Sequence, residues 1–227
     1  MGYDAAIFDM DGTILDTLDD LAASTNATLA AFGMPTRSTD EVRRFVGNGI
    51  RRLISRAVPA GTDETTQDRV FDAFCTYYAE HDAMATAPYP GIPELLASLR
   101  DRGVALAVVS NKGDFAVQSL VRRYFPDAFG FAVGERDGIR RKPAPDSVFA
   151  ALEALGVNAD RAVYVGDSEV DIQTAQAAGL PCISCAWGFR SVDTLMAAGA
   201  RCLVHTTDEL AHAILDPTAI HPGGCEK

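Results

Sequence analysis

Two carboxylates and a glycine stand at the end of the first apolar run of the chain. Residues 3–8 form this run, and Asp9-Met10-Asp11-Gly12-Thr13 follows it directly. In open α/β sheets the carboxyl ends of the strands face the ligand crevice, and residues two apart on an extended chain share a face. Two carboxylates there repel each other unless a cation joins them, and Mg²⁺ suits few protein carboxylates and a substrate phosphate. The alternative is a plain Asp-Gly turn.

Polar residues also follow two later apolar runs. Residues 104–109 predict a strand that ends in Ser110-Asn111-Lys112-Gly113. Residues 162–165 predict another, followed by an acidic loop and a helical pattern that Gly179 closes. This places Asp167 on the loop and Asp171 about one helical turn later.

A lysine between these two runs completes the pattern. In Arg141-Lys142-Pro143 the proline disfavours a helical backbone for Lys142, so an extended segment can aim its ammonium inward. Taken singly, each feature has an ordinary interpretation: a solvated turn, a surface lysine, or an acid favoured by a helix dipole. Their order along one chain favours a shared site.

These residues resemble the motifs of the haloacid dehalogenase superfamily, most closely those of its phosphoglycolate phosphatase branch, over nearly the whole chain. Residues 9–13 match the first motif, Ser110 the second, Lys142 the third, and Asp167 with Asp171 the acidic fourth. Features shared with the branch are Val46-Gly47-Asn48-Gly49-Ile50, Pro88-Tyr89-Pro90-Gly91, Ser110-Asn111-Lys112 and Lys142-Pro143-Ala144-Pro145. The chain departs from the branch at Gly113, where proline is expected, and at the extra carboxylate Glu169.

The distribution of patterns predicts an α/β fold. Residues 16–82 show helical periodicity without a convincing strand, and the prolines and glycine of residues 88–93 mark a return to alternating strands and helices. We predict a Rossmann-like doubly wound parallel sheet core, residues 1–15 and 83–227, with an inserted all-helical cap, residues 16–82. The resemblance implies the same small cap, which can close over the crevice and exclude water.

The predicted chemistry is phosphoryl transfer in two steps. Asp9 is the candidate nucleophile, and Asp11 is the candidate acid and later base. The resemblance implies that Mg²⁺ is bound by Asp9, the Asp11 backbone carbonyl and Asp167. Lys142 and the Ser110 hydroxyl would hold the phosphoryl oxygens as charge spreads in the transition state.

Other residues are expected to bind the substrate or to orient Lys142. The substrate-binding candidates are Thr13, Asn111, Gly47, Asn48 and Gly49. Asp171 is expected to orient Lys142 or metal-bound water, and Glu169 either shares that task or is an exposed acid at the start of a helix.

Substrate choice is expected to come from the cap. The arginines Arg43, Arg44, Arg51 and Arg52 lie near the Gly47-Asn48-Gly49 turn, where they suit either a substrate carboxylate or a solvated helix face. We predict 2-phosphoglycolate as substrate, with pyrophosphate, sugar phosphates, nucleotide monophosphates and a phosphomutase activity as alternatives. A non-catalytic binding protein is disfavoured because only catalysis needs all four residues Asp9, Asp11, Lys142 and Asp167, and a dehalogenase would need neither Asp11 nor a metal.

Composition agrees with this interpretation. At 227 residues the chain can hold a sizeable domain with an insert, and its formal charge of −11 argues against nucleic acid or an anionic membrane as partner. The sequence shows no export signal and no apolar stretch near the roughly twenty residues of a membrane helix. We expect a cytoplasmic monomer or homodimer whose partner is a small phosphorylated metabolite.

Cysteines raise one competing hypothesis. Cys182, Cys185, Cys202 and His205 resemble the spacing of zinc ligands. Both pairs lie in apolar runs that predict strands, where residues three apart face opposite sides, so buried free cysteine is the better interpretation. Cys225 lies in a glycine-rich tail and is expected to be exposed.

Overall fold

A six-stranded parallel sheet forms the centre of the computed structural model, which describes residues 2–216. Its strands are, in spatial order, β5 (Phe131–Glu135), β4 (Ala105–Gly113), β1 (Ala5–Phe8), β6 (Ala162–Gly166), β7 (Cys182–Cys185) and β8 (Cys202–Val204). The chain winds outward from β1 first through β4 to β5, and then through β6 to β8. The strand order therefore reverses at β1, which is where open sheets of this kind bind ligands.

Helices cover both faces of the sheet. One face carries α5 (Ile92–Asp101), α6 (Asp114–Tyr124) and α10 (Thr207–Leu215), and the other carries α7 (Asp146–Leu155) and α8 (Glu169–Ala178). The short helix α9 (Val192–Ala197) connects β7 to β8. Ala6 and Phe8 of β1 pack into the first layer, while Ala5 and Ile7 pack into the second. Both faces of β1 are buried, which explains its unbroken apolar sequence and confirms the predicted doubly wound core.

Four helices follow β1 in the sequence, before the chain returns to the sheet. They are α1 (Leu18–Ala31), α2 (Thr39–Phe45), α3 (Ile50–Ala57) and α4 (Glu64–His81), here called the helical segment. They bury an apolar cluster of their own, to which Leu29, Val42, Ile54 and Phe74 contribute. All regular secondary structure between residues 18 and 81 is helical, as the periodicity of residues 16–82 predicted.

A two-stranded antiparallel ribbon marks the exit and return of the chain. It pairs β2 (Leu15–Asp16) with β3 (Ala87–Pro88). Strands of two residues are too short to show a periodic pattern, so the sequence did not indicate them.

The strand β4 is longer than its apolar run. The sequence placed its end at residue 109, whereas the strand extends to Gly113, which pairs with Glu135 after a register shift. The polar residues Ser110, Asn111 and Lys112 are therefore held on a strand of the sheet, buried at 7%, 4% and 5% exposure.

The cysteine segments are strands, as predicted. Cys182 and Cys185 bound β7, Cys202 begins β8, and none of the three forms a disulfide within residues 2–216. Cys225 lies outside the described residues. Within residues 2–216 the structure contains no helix that is both long and apolar enough to span a bilayer.

A buried carboxylate joins the helical segment to the returning chain, and this generates a prediction. Asp20 accepts hydrogen bonds from the backbone amides of Ala85, at 2.9 and 3.0 Å, and of Thr86, at 2.8 Å. Asp20→Ala leaves these amides without an acceptor and should lower the free energy of unfolding by about 1–3 kcal/mol. Asp19→Ala, an exposed change in the same helical turn, should cost no more than about 0.5 kcal/mol. Urea unfolding measures both, and equal losses would contradict the assigned role of Asp20.

Candidate active site

A small cavity lies where the end of β4 and the loops after β1 and β6 meet the helical segment. Its volume is about 40 Å³. The core contributes Asp9, Asp11, Ser110, Asn111, Lys112, Lys142, Asp167, Ser168, Phe189 and Arg190 to its lining. The helical segment contributes Leu21, Val46, Gly47, Gly49, Ile50, Leu53 and Tyr78. The structure thus brings together the residues from all four sequence motifs.

The loop after β1 is fixed by its own backbone. Met10 O accepts from the amides of Thr13, Ile14 and Leu15, at 3.1–3.2 Å. Gly12 has a φ of +85°, and a Cβ there would lie 2.3 Å from a carboxylate oxygen of Asp167. Only glycine allows this approach of the two loops.

Lys142 lies at the centre of the site. Its Nζ is 2.9 Å from Asp9 Oδ1, 2.8 Å from Asp171 Oδ1 and 3.0 Å from the Tyr164 hydroxyl. Burial alone would lower the pKa of Lys142, but the carboxylates of Asp171 and Asp9 raise it well above its ordinary value. The side chain of Asn111 grips the lysine backbone, accepting from Lys142 N at 2.8 Å and donating to Lys142 O at 3.1 Å.

Asp171 is fully occupied by hydrogen bonds. Its Oδ1 accepts from Lys142 and Tyr164, and its Oδ2 accepts from the Ser168 hydroxyl at 2.6 Å. The backbone amides of Asp167 and Ser168 also donate to Oδ2, at 3.3 and 3.1 Å. Its environment agrees with the expectation that Asp171 orients Lys142.

The carboxylates of this site suit a cation. Oxygens of Asp9, Asp167 and Asp171 lie within 4.8 Å of one another. Asp9 Oδ1 makes no hydrogen bond of good geometry within residues 2–216, although Lys142 Nζ is close. Burial raises the pKa of Asp9 to about 7 and that of Asp167 well above its ordinary value. Because Asp171 is already occupied, Asp9 and Asp167 are the side chains that would hold a divalent ion.

Asp11 lies beside a second buried lysine. Lys112 Nζ is 3.0 and 3.3 Å from the two Asp11 oxygens and 2.7 Å from the hydroxyl of Tyr78. The Thr17 hydroxyl donates to Asp11 Oδ1 at 2.8 Å. Asp11 and Asp9 are therefore neighbours with separate ammonium partners.

The turn at residues 46–49 is held by donors from the core. Asn111 Nδ2 donates to Gly47 O at 3.1 Å, and Arg141 Nη1 donates to Asn48 O at 3.2 Å. Gly47 and Gly49 line the cavity, whereas Asn48 does not. The predicted turn is therefore beside the site, and its backbone rather than the Asn48 side chain faces the cavity.

Arg190 bridges the core and the helical segment, and this explains Glu169. The guanidinium donates to Glu169 Oε2 at 2.9 Å, to Arg43 O at 3.0 Å and to Val46 O at 2.7 Å. Glu169 is thus neither a group at the catalytic centre nor an unpaired surface acid. Glu169 holds Arg190 in place, and Arg190 donates to the backbone of the turn at residues 46–49.

The arginines proposed for substrate binding lie elsewhere. Arg43 pairs with Asp40, and Arg51 pairs with Asp68. Neither they nor the exposed Arg44 and Arg52 line the cavity. These four arginines are mainly solvated helix residues, and the helical wall of the cavity is largely apolar.

Two further predicted residues have supporting positions. Thr13 is buried, and its hydroxyl donates to Asp167 Oδ1 at 3.4 Å, a long bond. Ser110 lines the cavity, and its hydroxyl accepts from the Lys112 amide at 3.2 Å. Both amide hydrogens of Asn111 are used on backbone carbonyls, so its side chain braces the site instead of facing a ligand.

Sequence reasoning overlooked three residues of the site. Lys112 follows Ser110 by two positions, the same spacing that identified Asp9 and Asp11, and this signal was available. Tyr78 and Arg190 lie far from the motifs in the sequence, in a helix and in the loop after β7. Their roles depend on how the helical segment packs, which no local pattern shows.

Comparison with known proteins identifies the family. The chain matches the model of the haloacid dehalogenase-like hydrolases over residues 6–185. The phosphoglycolate phosphatase of Pseudomonas syringae pv. tomato is 35% identical over 189 residues, covering 81% of this chain and 69% of that protein. The N-acetylmuramic acid 6-phosphate phosphatase of Pseudomonas aeruginosa is 32% identical over 223 residues, covering 98% and 92%.

A solved structure agrees. A crystal structure of a protein from Lactobacillus delbrueckii subsp. bulgaricus superposes with a TM-score of 0.90 at 43% identity, covering 95% of this chain and 99% of that one. This chain therefore belongs to the haloacid dehalogenase-like hydrolases. Within that family it is a phosphatase of the phosphoglycolate phosphatase-like branch, as the motifs predicted.

The raised pKa of Asp9 predicts how stability depends on pH and magnesium. Because the folded pKa is about 7 and an unfolded aspartate titrates near 4, the metal-free folded protein retains a proton that the unfolded chain has lost. Its thermal midpoint should therefore fall as the pH rises from about 5 to about 8. Mg²⁺ competes with that proton, so it should raise the midpoint more at about pH 8 than at about pH 5.

Asp9→Asn is the control for this measurement. It removes the titrating group, so the decline of the metal-free midpoint with pH should be shallower than in the wild type. A wild-type midpoint that rises over the same range would contradict the burial assigned to Asp9.

Proposed function

We propose that the protein is a magnesium-dependent phosphomonoester hydrolase that acts through an aspartyl phosphate. The observation that carries this proposal is the buried Asp9 carboxylate at the end of β1, with Lys142 Nζ 2.9 Å away and Asp167 beside it. We further propose that residues 16–82 are a cap on a catalytic core of residues 1–15 and 83–227.

The first step is attack by Asp9 on phosphorus. A bond forms between an Asp9 oxygen and phosphorus as the bond to the leaving alcohol breaks, and Asp11 gives that alcohol its proton. Lys142, the Ser110 hydroxyl and the backbone amides near Asn111 hold the other phosphoryl oxygens. Asp9, Asp167 and, by the family resemblance, the Asp11 carbonyl would hold Mg²⁺, whose positive charge would reduce the repulsion between nucleophile and substrate.

The second step returns the enzyme to its starting state. Asp11, now a carboxylate, removes a proton from water, which attacks phosphorus and releases Asp9. The helical segment covers the site during both steps, so bulk water is excluded while the aspartyl phosphate exists.

Cavity size supports a small substrate, and we propose 2-phosphoglycolate. A volume of about 40 Å³ holds roughly three or four water-sized sites, fewer than the nine non-hydrogen atoms of 2-phosphoglycolate, so the helical segment would have to move even for this substrate and the cavity favours only the smaller candidates. The N-acetylmuramic acid 6-phosphate phosphatase among the relatives carries the name of a larger substrate. Sugar phosphates, pyrophosphate, nucleotide monophosphates and phosphomutase activity therefore stay as alternatives. Sugar phosphates and nucleotides are larger than 2-phosphoglycolate, so for them the helical segment would have to open further.

The nucleophile is tested by Asp9→Asn. The amide is a poor nucleophile, so turnover of any phosphomonoester should fall by about 10³-fold or more. The circular dichroism spectrum should remain that of the wild type, because the two side chains have nearly the same shape. Asp19→Asn, the same change at an exposed position of α1, should leave turnover unaltered. Substantial activity in Asp9→Asn would exclude this residue as nucleophile.

Substrate selection is tested by a panel with Mg²⁺ present. We expect 2-phosphoglycolate to have the highest kcat/KM, by at least about tenfold or 1.4 kcal/mol. Leu53→Val shortens a side chain of the helical wall and so enlarges the cavity. It should raise the kcat/KM of a sugar phosphate relative to that of 2-phosphoglycolate by about tenfold. Leu29→Val, equally buried but away from the cavity, should leave that ratio unchanged. A panel led by pyrophosphate or a sugar phosphate would refute the glycolate assignment and spare the phosphatase assignment.

A further inference from the structure

Lys112 is a buried ammonium to which the proposed reaction assigns no task. Its side chain is 2% exposed, and its Nζ contacts both oxygens of Asp11, at 3.0 and 3.3 Å. An ammonium out of water is costly unless it is paired and hydrogen-bonded. Lys112 therefore has to stay with its partners, and its position is tied to theirs.

The partners of Lys112 come from different parts of the molecule. Lys112 lies near the end of β4, Asp11 on the loop after β1, and Tyr78 on α4 of the helical segment. The tyrosine hydroxyl accepts from Lys112 Nζ at 2.7 Å. One ammonium thus joins the helical segment directly to the carboxylate that moves protons.

Both ends of this link are held firmly. Tyr78 is fully buried and stacks on Phe74 with ring centroids 5.4 Å apart, so its hydroxyl moves only if α4 moves. Asp11 is held from a second side by the Thr17 hydroxyl at 2.8 Å. Withdrawal of α4 would remove one partner of Lys112 and free the ammonium to shift relative to Asp11.

We propose that Lys112 is a positioning residue that holds Asp11 for proton transfer to the leaving oxygen, and that Tyr78 makes this depend on the helical segment. The inference rests on the proposed function. Asp11 gives its proton to the leaving oxygen as the phosphorus–oxygen bond breaks, and Lys112 keeps all of its protons. The ammonium stabilises the carboxylate that remains on Asp11 and fixes where that carboxylate points.

A purely structural role makes a different prediction. If Lys112 only neutralised buried charge, its loss would lower kcat/KM by the same factor for all substrates, because damage to the fold or the phosphate site affects every substrate equally. If it positions Asp11, its loss should matter most when the leaving group needs a proton. The alkoxide of an alkyl phosphate needs one, whereas p-nitrophenolate leaves without one.

The experiment compares kcat/KM for methyl phosphate and p-nitrophenyl phosphate in the presence of Mg²⁺. Lys112→Met should lower the value for methyl phosphate at least about tenfold more than the value for p-nitrophenyl phosphate. Lys112→Arg, which keeps the charge, should recover part of this difference. Tyr78→Phe keeps the ring and should change the ratio in the same direction, by about threefold.

The control removes a tyrosine hydroxyl elsewhere. Tyr124 donates to Thr86 O at 2.6 Å and contacts neither Asp11 nor Lys112, so Tyr124→Phe should preserve the wild-type ratio. Equal losses on both substrates in Lys112→Met would overturn the positioning role. A wild-type ratio in Tyr78→Phe would overturn the link to the helical segment, and this milder variant decides the matter if Lys112→Met does not fold.

Failure of this inference differs from failure of the proposed function. An active wild type whose activity depends on Asp9, combined with a constant substrate ratio in the variants, removes only the role of Lys112. A wild type that hydrolyses neither ester, or keeps its activity in Asp9→Asn, removes the aspartyl-phosphate reaction itself.

Discussion

Crowding of four buried or partly buried carboxylates at the ends of β1 and β6 is the constraint on which the site depends. Among residues 2–216, Asp9, Asp11, Asp167 and Asp171 meet only two ammonium groups, those of Lys142 and Lys112. When all four are ionised, two negative charges are in surplus, and one divalent cation would neutralise them. Because buried charges are costly unless paired, the backbone around the site has to bring every partner to its acid.

Several features of the fold follow from this need. The strand β4 continues through residues 110–113 and so carries Lys112 to Asp11. The amide of Asn111 holds the backbone of Lys142 on both sides, so the ammonium reaches Asp9 and Asp171 together. At the start of α8, Asp171 also satisfies the amides of residues 167 and 168. One carboxylate thus caps a helix and orients a lysine.

The helical segment is attached to the core largely through backbone carbonyls. Arg190 donates to the carbonyls of Arg43 and Val46, Asn111 to that of Gly47, and Arg141 to that of Asn48. Carbonyls are present whatever the side chains are, so this attachment leaves the side chains facing the cavity free to vary. Leu21, Ile50 and Leu53 can then set the size of the cavity without breaking these hydrogen bonds.

The sequence predicted what lies in contiguous patterns and missed what depends on packing. The apolar runs before Asp9 and Asp167 identified β1 and β6, and Gly179 marked the end of α8, where it takes a left-handed φ of +74°. Apolar continuity could not show that β4 continues through polar residues, because their burial comes from neighbouring strands and from the helical segment. The nearby arginines were placed by sequence distance alone, and α2 and α3 turn them toward solvent.

The environments of Asp9 and Asp11 differ in a way that suits two roles. Asp9 lies beside Asp167 and Asp171, where burial raises its pKa and favours its neutral form, so the proposed cation would favour the ionised form that attacks phosphorus. Asp11, whose side chain is 14% exposed against 11% for that of Asp9, has its own ammonium and the Thr17 hydroxyl. Enzymes give two neighbouring carboxyl groups different tasks by placing them in different environments. The proposed nucleophile is the acid that requires the ion, and the proposed proton carrier is the acid whose partners reach the helical segment.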